Sequence, residues 1–139
     1  MNISKKLLIY FFIFTNYQFQ AHYTEPVSLI YEITTRDELH GALQSKKPTT
    51  IKLYSQNCPY CNMFSKTFEA SANKHGNINF LSANGKALNV PEVIAGFTKG
   101  NIKIPGYPSI LFVKGGTIVD YQIGGDAKTF EEKLQKILK

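Results

Sequence analysis

Polar and apolar positions change period along the chain, and each change predicts an element. The segment "VSLIYEI" (27–33) is dense in β-branched and aromatic residues and predicts a first strand. Thr35 and Glu38 stand at capping-box spacing, which predicts a helix from about Arg36 to Ser45, with Pro48 beyond its end. "TTIKLY" (49–54) predicts a second strand. A helix is expected to open at Cys58 and reach His75, with Met63, Phe64 and Phe68 on its apolar side and Gly76 as its stop. "NINFLSA" (77–83) predicts a third strand. Around "NVPEVIAGF" a short helix is expected, with Asn89 before it and Pro91 in its first turn. "PSILFVK" (108–114) and "TIVDYQI" (117–123) flank Gly115–Gly116 and predict a hairpin, broken at its end by Gly124–Gly125. Thr129 and Glu132 repeat the capping-box spacing, and Phe130, Leu134, Ile137 and Leu138 make one apolar helical face.

The resulting order is β-α-β-α-β-α-β-β-α. Alternation at the front predicts parallel pairing, and the tight hairpin near the end predicts antiparallel pairing. The fold class is therefore α/β, a mixed central sheet of about five strands with helices on both faces.

Length and composition agree with one such domain. The chain has 139 residues, 43% of them hydrophobic, with ten Phe and eight Tyr to fill a core. The start of the chain breaks the pattern. Lys5 and Lys6 precede an apolar run from Leu7 to Phe14, and a polar stretch then leads to Ala21, the order of a secretory signal. That run is far shorter than the roughly 20 residues of a membrane span. Residues 1–21 are expected to be a signal peptide and 22–139 the working domain, exported to a periplasmic or extracellular space. An uncleaved signal would instead tether the domain to the membrane, facing the exported side. Removing residues 1–21 takes away two lysines and no acid, so the net charge falls from +6 to +4. The remaining basic residues are scattered, which is no nucleic-acid footprint.

The candidate chemistry lies in "SQNCPYCNMF" (55–64), which holds the only two cysteines, Cys58 and Cys61. A C-x-x-C pair can be half of a zinc site, a structural staple or a redox centre. A closed zinc site needs four ligands, and the three histidines, His22, His40 and His75, are isolated from one another. No metal is expected. A disulfide across so short a loop removes little chain entropy, so it is a poor staple. The redox reading has a positive case. Cys58 follows a strand and opens a helix, where unpaired N–H groups and the dipole favour a negative sulfur. Pro59 suits the first helical position. A thiolate there is the nucleophile, and Cys61, one turn on, can resolve a mixed disulfide.

With "CPYC" on the page, the sequence resembles the thioredoxin family across residues 27–139. The second point of resemblance is "GYPSILFVKGG", similar to that family's other active-site loop. The resemblance implies a thioredoxin fold, a cis bond at Tyr107–Pro108 and a redox disulfide between Cys58 and Cys61. It implies that Pro59, Tyr60, Tyr107 and Pro108 position the substrate. It also implies protein thiol or disulfide substrates, a partner redox protein, action as a monomer and no bound cofactor. The dipeptide in "CPYC" is also typical of glutaredoxins. However, Gly124–Gly125 lie sixteen residues after Pro108, a spacing similar to thioredoxin, and so is the leading strand and helix. Lys52 departs from the pattern, standing where the family usually has a buried acid. It either extends out to solvent or tunes the thiol pKa. Asn57 replaces an expected aromatic, and Lys66 replaces a helix-kinking proline. The expected function is a thiol–disulfide oxidoreductase, its direction open. The alternatives are a non-catalytic binding or chaperone-like module and a glutathione-dependent glutaredoxin.

Overall fold

A computed structural model describes residues 29–98 and 100–139. The segment expected to be a signal peptide lies outside the described residues. Nine elements follow in order: β1 (Ile30–Ile33), α1 (Arg36–Leu43), β2 (Thr49–Tyr54), α2 (Pro59–Lys74), β3 (Asn79–Asn84), α3 (Val90–Ile94), β4 (Ser109–Lys114), β5 (Thr117–Ile123) and α4 (Ala127–Leu138). The five strands form one sheet in the order β1-β3-β2-β4-β5. β3 pairs parallel with β1 and β2, whereas β4 pairs antiparallel with β2 and β5. The mixed sheet and its helical layers match the expected fold class.

Strand parity divides the core in two. On one face Ile33, Ile51 and Leu53 pack with Leu39 and Leu43 of α1 and with Val90 and Ile94 of α3. On the other, Phe80, Ile110 and Phe112 pack with Phe64 and Phe68 of α2 and with Phe130, Leu134 and Ile137 of α4. Burying large side chains like these contributes about 1.5–3 kcal/mol each, the main force holding the layers together. Neighbouring rings of Phe64, Phe68, Phe80, Phe112 and Phe130 meet edge-on or tilted, with centroids 5.1–6.0 Å apart.

Several local expectations change. Thr35 and Glu38 do form the capping box of α1. At α4, however, the cap is Asp126, which accepts the Thr129 N–H at 2.8 Å, so the helix starts earlier than the Thr129–Glu132 spacing suggests. Met63 leaves the apolar side of α2 and is 72% exposed, because its neighbour Phe64 takes the inward position. Helix α2 ends at His75, whose N–H bonds the Ser71 carbonyl, and Gly76 does not adopt a left-handed cap. In the β4–β5 turn Gly115 and Gly116 do need that freedom, with φ of 60° and 76°.

Candidate active site

The end of β2 delivers the chain to the start of α2. Asn57 turns it with φ of 54°, a left-handed conformation that asparagine tolerates better than most residues. Cys58 follows as the N-cap of α2, in extended geometry, and Pro59 takes the first helical position, where no N–H is required. The Cys58 sulfur accepts the Cys61 N–H at 3.2 Å. It therefore occupies the position of a capping oxygen and meets the positive end of the helix. When reduced, this sulfur is favoured as thiolate for both reasons.

Cys58 and Cys61 are joined by a disulfide. Cys61 is buried at 4% exposure under α2, whereas Cys58 is partly exposed. The asymmetry leaves the Cys58 sulfur open to approach and sets the Cys61 sulfur behind it. Tyr60 and Met63 stand out from the same end of the helix, 71% and 72% exposed. The segment before β4 closes the site from the other side. The Tyr107–Pro108 bond is cis, Pro108 is buried, and the Tyr107 carbonyl oxygen lies 3.6 Å from the Cys58 sulfur. The Ser109 hydroxyl donates to the Gly106 carbonyl at 2.6 Å, and the Gly124 N–H donates to the Pro108 carbonyl at 2.8 Å. These bonds fix the shape of the loop and tie it to the end of β5.

A family model for thioredoxin matches residues 31–139. The chain belongs to the thioredoxin family. Over 100 residues it is 28% identical to Thioredoxin H5 of Arabidopsis thaliana, covering 72% of this chain and 79% of the relative. A thioredoxin of Malassezia sympodialis superposes with a TM-score of 0.69 at 17% identity, covering 86% of this chain and 99% of that one. A thioredoxin of Nicotiana alata gives 0.65 at 21% identity, covering 81% and 95% respectively. Membership together with the Cys58–Cys61 pair makes the protein a thiol–disulfide oxidoreductase. The non-catalytic alternative falls away.

Within this thioredoxin-family site, six of the seven residues singled out from the sequence gather around the disulfide: Cys58, Pro59, Tyr60, Cys61, Tyr107 and Pro108. Lys52 lies behind the disulfide. It does not extend into solvent, being 8% exposed. Its ammonium donates to the Ser65 hydroxyl at 2.9 Å and stands 5.4 Å from the centre of the Phe68 ring. Burial lowers its pKa, while the nearby Glu32 and Glu69 carboxylates oppose that shift. Lys66, at the position of the absent proline, is exposed on an unbroken α2. Glu32, Tyr54 and Ser65 line the same solvent-open pocket beside Lys52 and were not visible as a group in the sequence. Their one signal is strand parity, which places Lys52 and Tyr54 on one face of β2 but does not reveal what β1 sets opposite.

Proposed function

We propose that this thioredoxin-family enzyme is exported and exchanges disulfides with protein substrates as a monomer, trading electrons with a partner redox protein. The observation that carries the chemistry is the accessible Cys58 sulfur at the tip of α2, backed by buried Cys61. In the reducing direction the Cys58 thiolate attacks a substrate disulfide, one substrate thiolate leaves, and a mixed disulfide forms. Cys61 loses its proton and attacks the Cys58 sulfur. The second substrate thiolate departs and takes up a proton, leaving the substrate reduced by two electrons and the Cys58–Cys61 pair oxidised. The oxidising direction is the reverse sequence.

The substrate class rests on the shape of the mouth. Tyr60 and Met63 offer exposed apolar surface beside Cys58, suited to an apolar stretch of polypeptide. Tyr107 sets main-chain polar groups next to the reacting sulfur, where an extended chain can pair with them. Export rests on the Lys5–Lys6, Leu7–Phe14 and Ala21 pattern.

Insulin reduction with Cys58→Ser as control tests the activity, and fractionation of the producing cells tests export. Turnover is expected to vanish in the variant, and the mature chain is expected outside the cytosol with its N-terminus near residue 22. Equal turnover in the variant would overturn the assignment of Cys58. Recovery of only the uncleaved chain in the cytosol would overturn export.

A further inference from the structure

Behind the disulfide lies a cavity of about 260 Å³ that the exchange reaction as described does not use. Glu32, Lys52, Tyr54, Ser65 and Ser82 line it together with Cys61. Sheet register assembles this wall: Lys52 on β2 sits beside Ser82 on β3, and Ser82 beside Glu32 on β1, all facing α2. On the other side of Lys52 the partner in β4 is Ile110, which is fully buried and carries no charge. The space is polar and large enough to admit water.

The groups in this wall are held in place. The Tyr54 hydroxyl donates to Glu32 at 2.6 Å, and this bond, followed by burial, raises the phenol to about 12. It therefore remains a donor at neutral pH. The Lys52 ammonium donates to Ser65, and the Ser65 hydroxyl donates to the Cys61 carbonyl at 3.0 Å. One hydroxyl thus separates the cation from the Cys61 backbone. The charges facing the cavity or acting on Lys52 are Glu32 from β1 and Glu69 from α2. The cation is the charge nearest the buried cysteine along this chain of hydrogen bonds.

A buried amine is costly, and a hydrocarbon of similar length would fill the space at lower cost. We infer that Lys52 is a positioning residue for the resolving step: its ammonium, held by Ser65 beside the cavity, stabilises the Cys61 thiolate. This rests on the disulfide-exchange reading and assigns the internal sulfur a cation instead of an acid. In the step itself the Cys61 S–H proton leaves to water in the cavity. The Cys61 thiolate then forms a bond to the Cys58 sulfur, and the Cys58–substrate S–S bond breaks. The electron pair leaves with the substrate thiolate. Because only the reduced protein contains a thiolate, the cation stabilises the reduced form. It makes the pair a stronger oxidant than a neutral residue would.

The test titrates Cys61 in the full-length Cys58→Ser protein, where it is the only thiol in the chain, by its ultraviolet thiolate absorbance. Adding Lys52→Met is expected to raise the Cys61 midpoint by about one unit or more, the usual effect of removing an opposite charge. Lys52→Arg should hold the midpoint near that of the parent. Glu32→Gln, which removes the carboxylate two strands away on the same sheet wall, should lower it. With both cysteines present and at a pH above the Cys61 midpoints of both proteins, Lys52→Met should shift the equilibrium with glutathione about tenfold toward the disulfide form, or about 30 mV for this two-electron couple. Lys52→Met should also leave thermal stability unchanged or raise it, which separates a charge effect from a folding defect. Superimposable titrations of the parent and Lys52→Met would overturn the role of the lysine and leave insulin turnover untouched. Loss of Cys58-dependent turnover would instead overturn the enzyme reading, with the titration still readable.

Discussion

At the scale of single residues, the site depends on a contact outside the cysteine motif. Gly85, just after β3, lies under the Tyr107 ring. A Cβ added there would come within 2.7 Å of the phenol oxygen and closer still to the ring edge. Tyr107 in turn sets its carbonyl beside Cys58. Gly85→Ala is therefore expected to displace Tyr107 and shift the segment that receives the substrate. Because misplacing a positioning group by about 1 Å can cost as much as 100-fold, kcat/KM for insulin reduction should fall several-fold, with KM rising more than kcat falls. The titration of Cys61 should not move, since Gly85 lies outside its cavity. An unchanged kcat/KM would mean that Tyr107 does not position the substrate.

At the scale of elements, the helix starts hold the reactive and structural ends together. In α2 the cap is a cysteine, so the residue that satisfies the helix end is also the proposed nucleophile. In α4 the cap is Asp126, whose carboxyl is held below its ordinary value by the Thr129 side chain and N–H. Asp126→Ala is expected to lower the urea midpoint of unfolding, and Glu132→Ala to change it far less. Equal losses for the two would restore Thr129–Glu132 as the working cap. The spacing signal missed this start because two overlapping cap patterns share Thr129, and only the backbone path out of β5 chooses between them.

For the molecule as a whole, one contact joins distant parts of the chain on the face opposite the cysteine end of α2. Glu131 of α4 accepts from Lys74 at 2.9 Å and meets His75 at 2.8 Å, tying the end of α2 to α4. Burial raises the Glu131 carboxyl, but hydrogen bonds from Lys74, His75 and Gln135 outweigh it and hold it at about 2, against an ordinary value of 4.5. A depressed carboxyl contributes stability that is complete above 4.5 and is lost as the pH falls through the folded value. Urea midpoints measured from pH ~5 to pH ~2 should therefore fall less steeply in Glu131→Gln than in the parent. Identical slopes would show that the contact contributes nothing to acid sensitivity.

Much of this was legible in the chain itself. Strand period, capping-box spacing at Thr35 and the Gly115–Gly116 turn are local patterns. The backbone obeys them wherever a buried face rewards them, so β2, α1 and the final hairpin were readable directly. The reactive pair was readable too, because Cys58 and Cys61 are three residues apart and their helix start is set by Pro59. Met63 was misplaced because neighbouring apolar residues compete for one inward position, and only packing decides which takes it. Lys52 marks the sharper limit. Sequence could count its distance from Cys58 but not say where its amine pointed, since a lysine stem can run along apolar surface or fold beneath a helix. Its direction was decided by contacts thirteen residues ahead at Ser65 and by a charged strand, β1, that reaches the same wall only through β3. Local order fixed the sulfurs, and tertiary register alone chose the charge placed behind them.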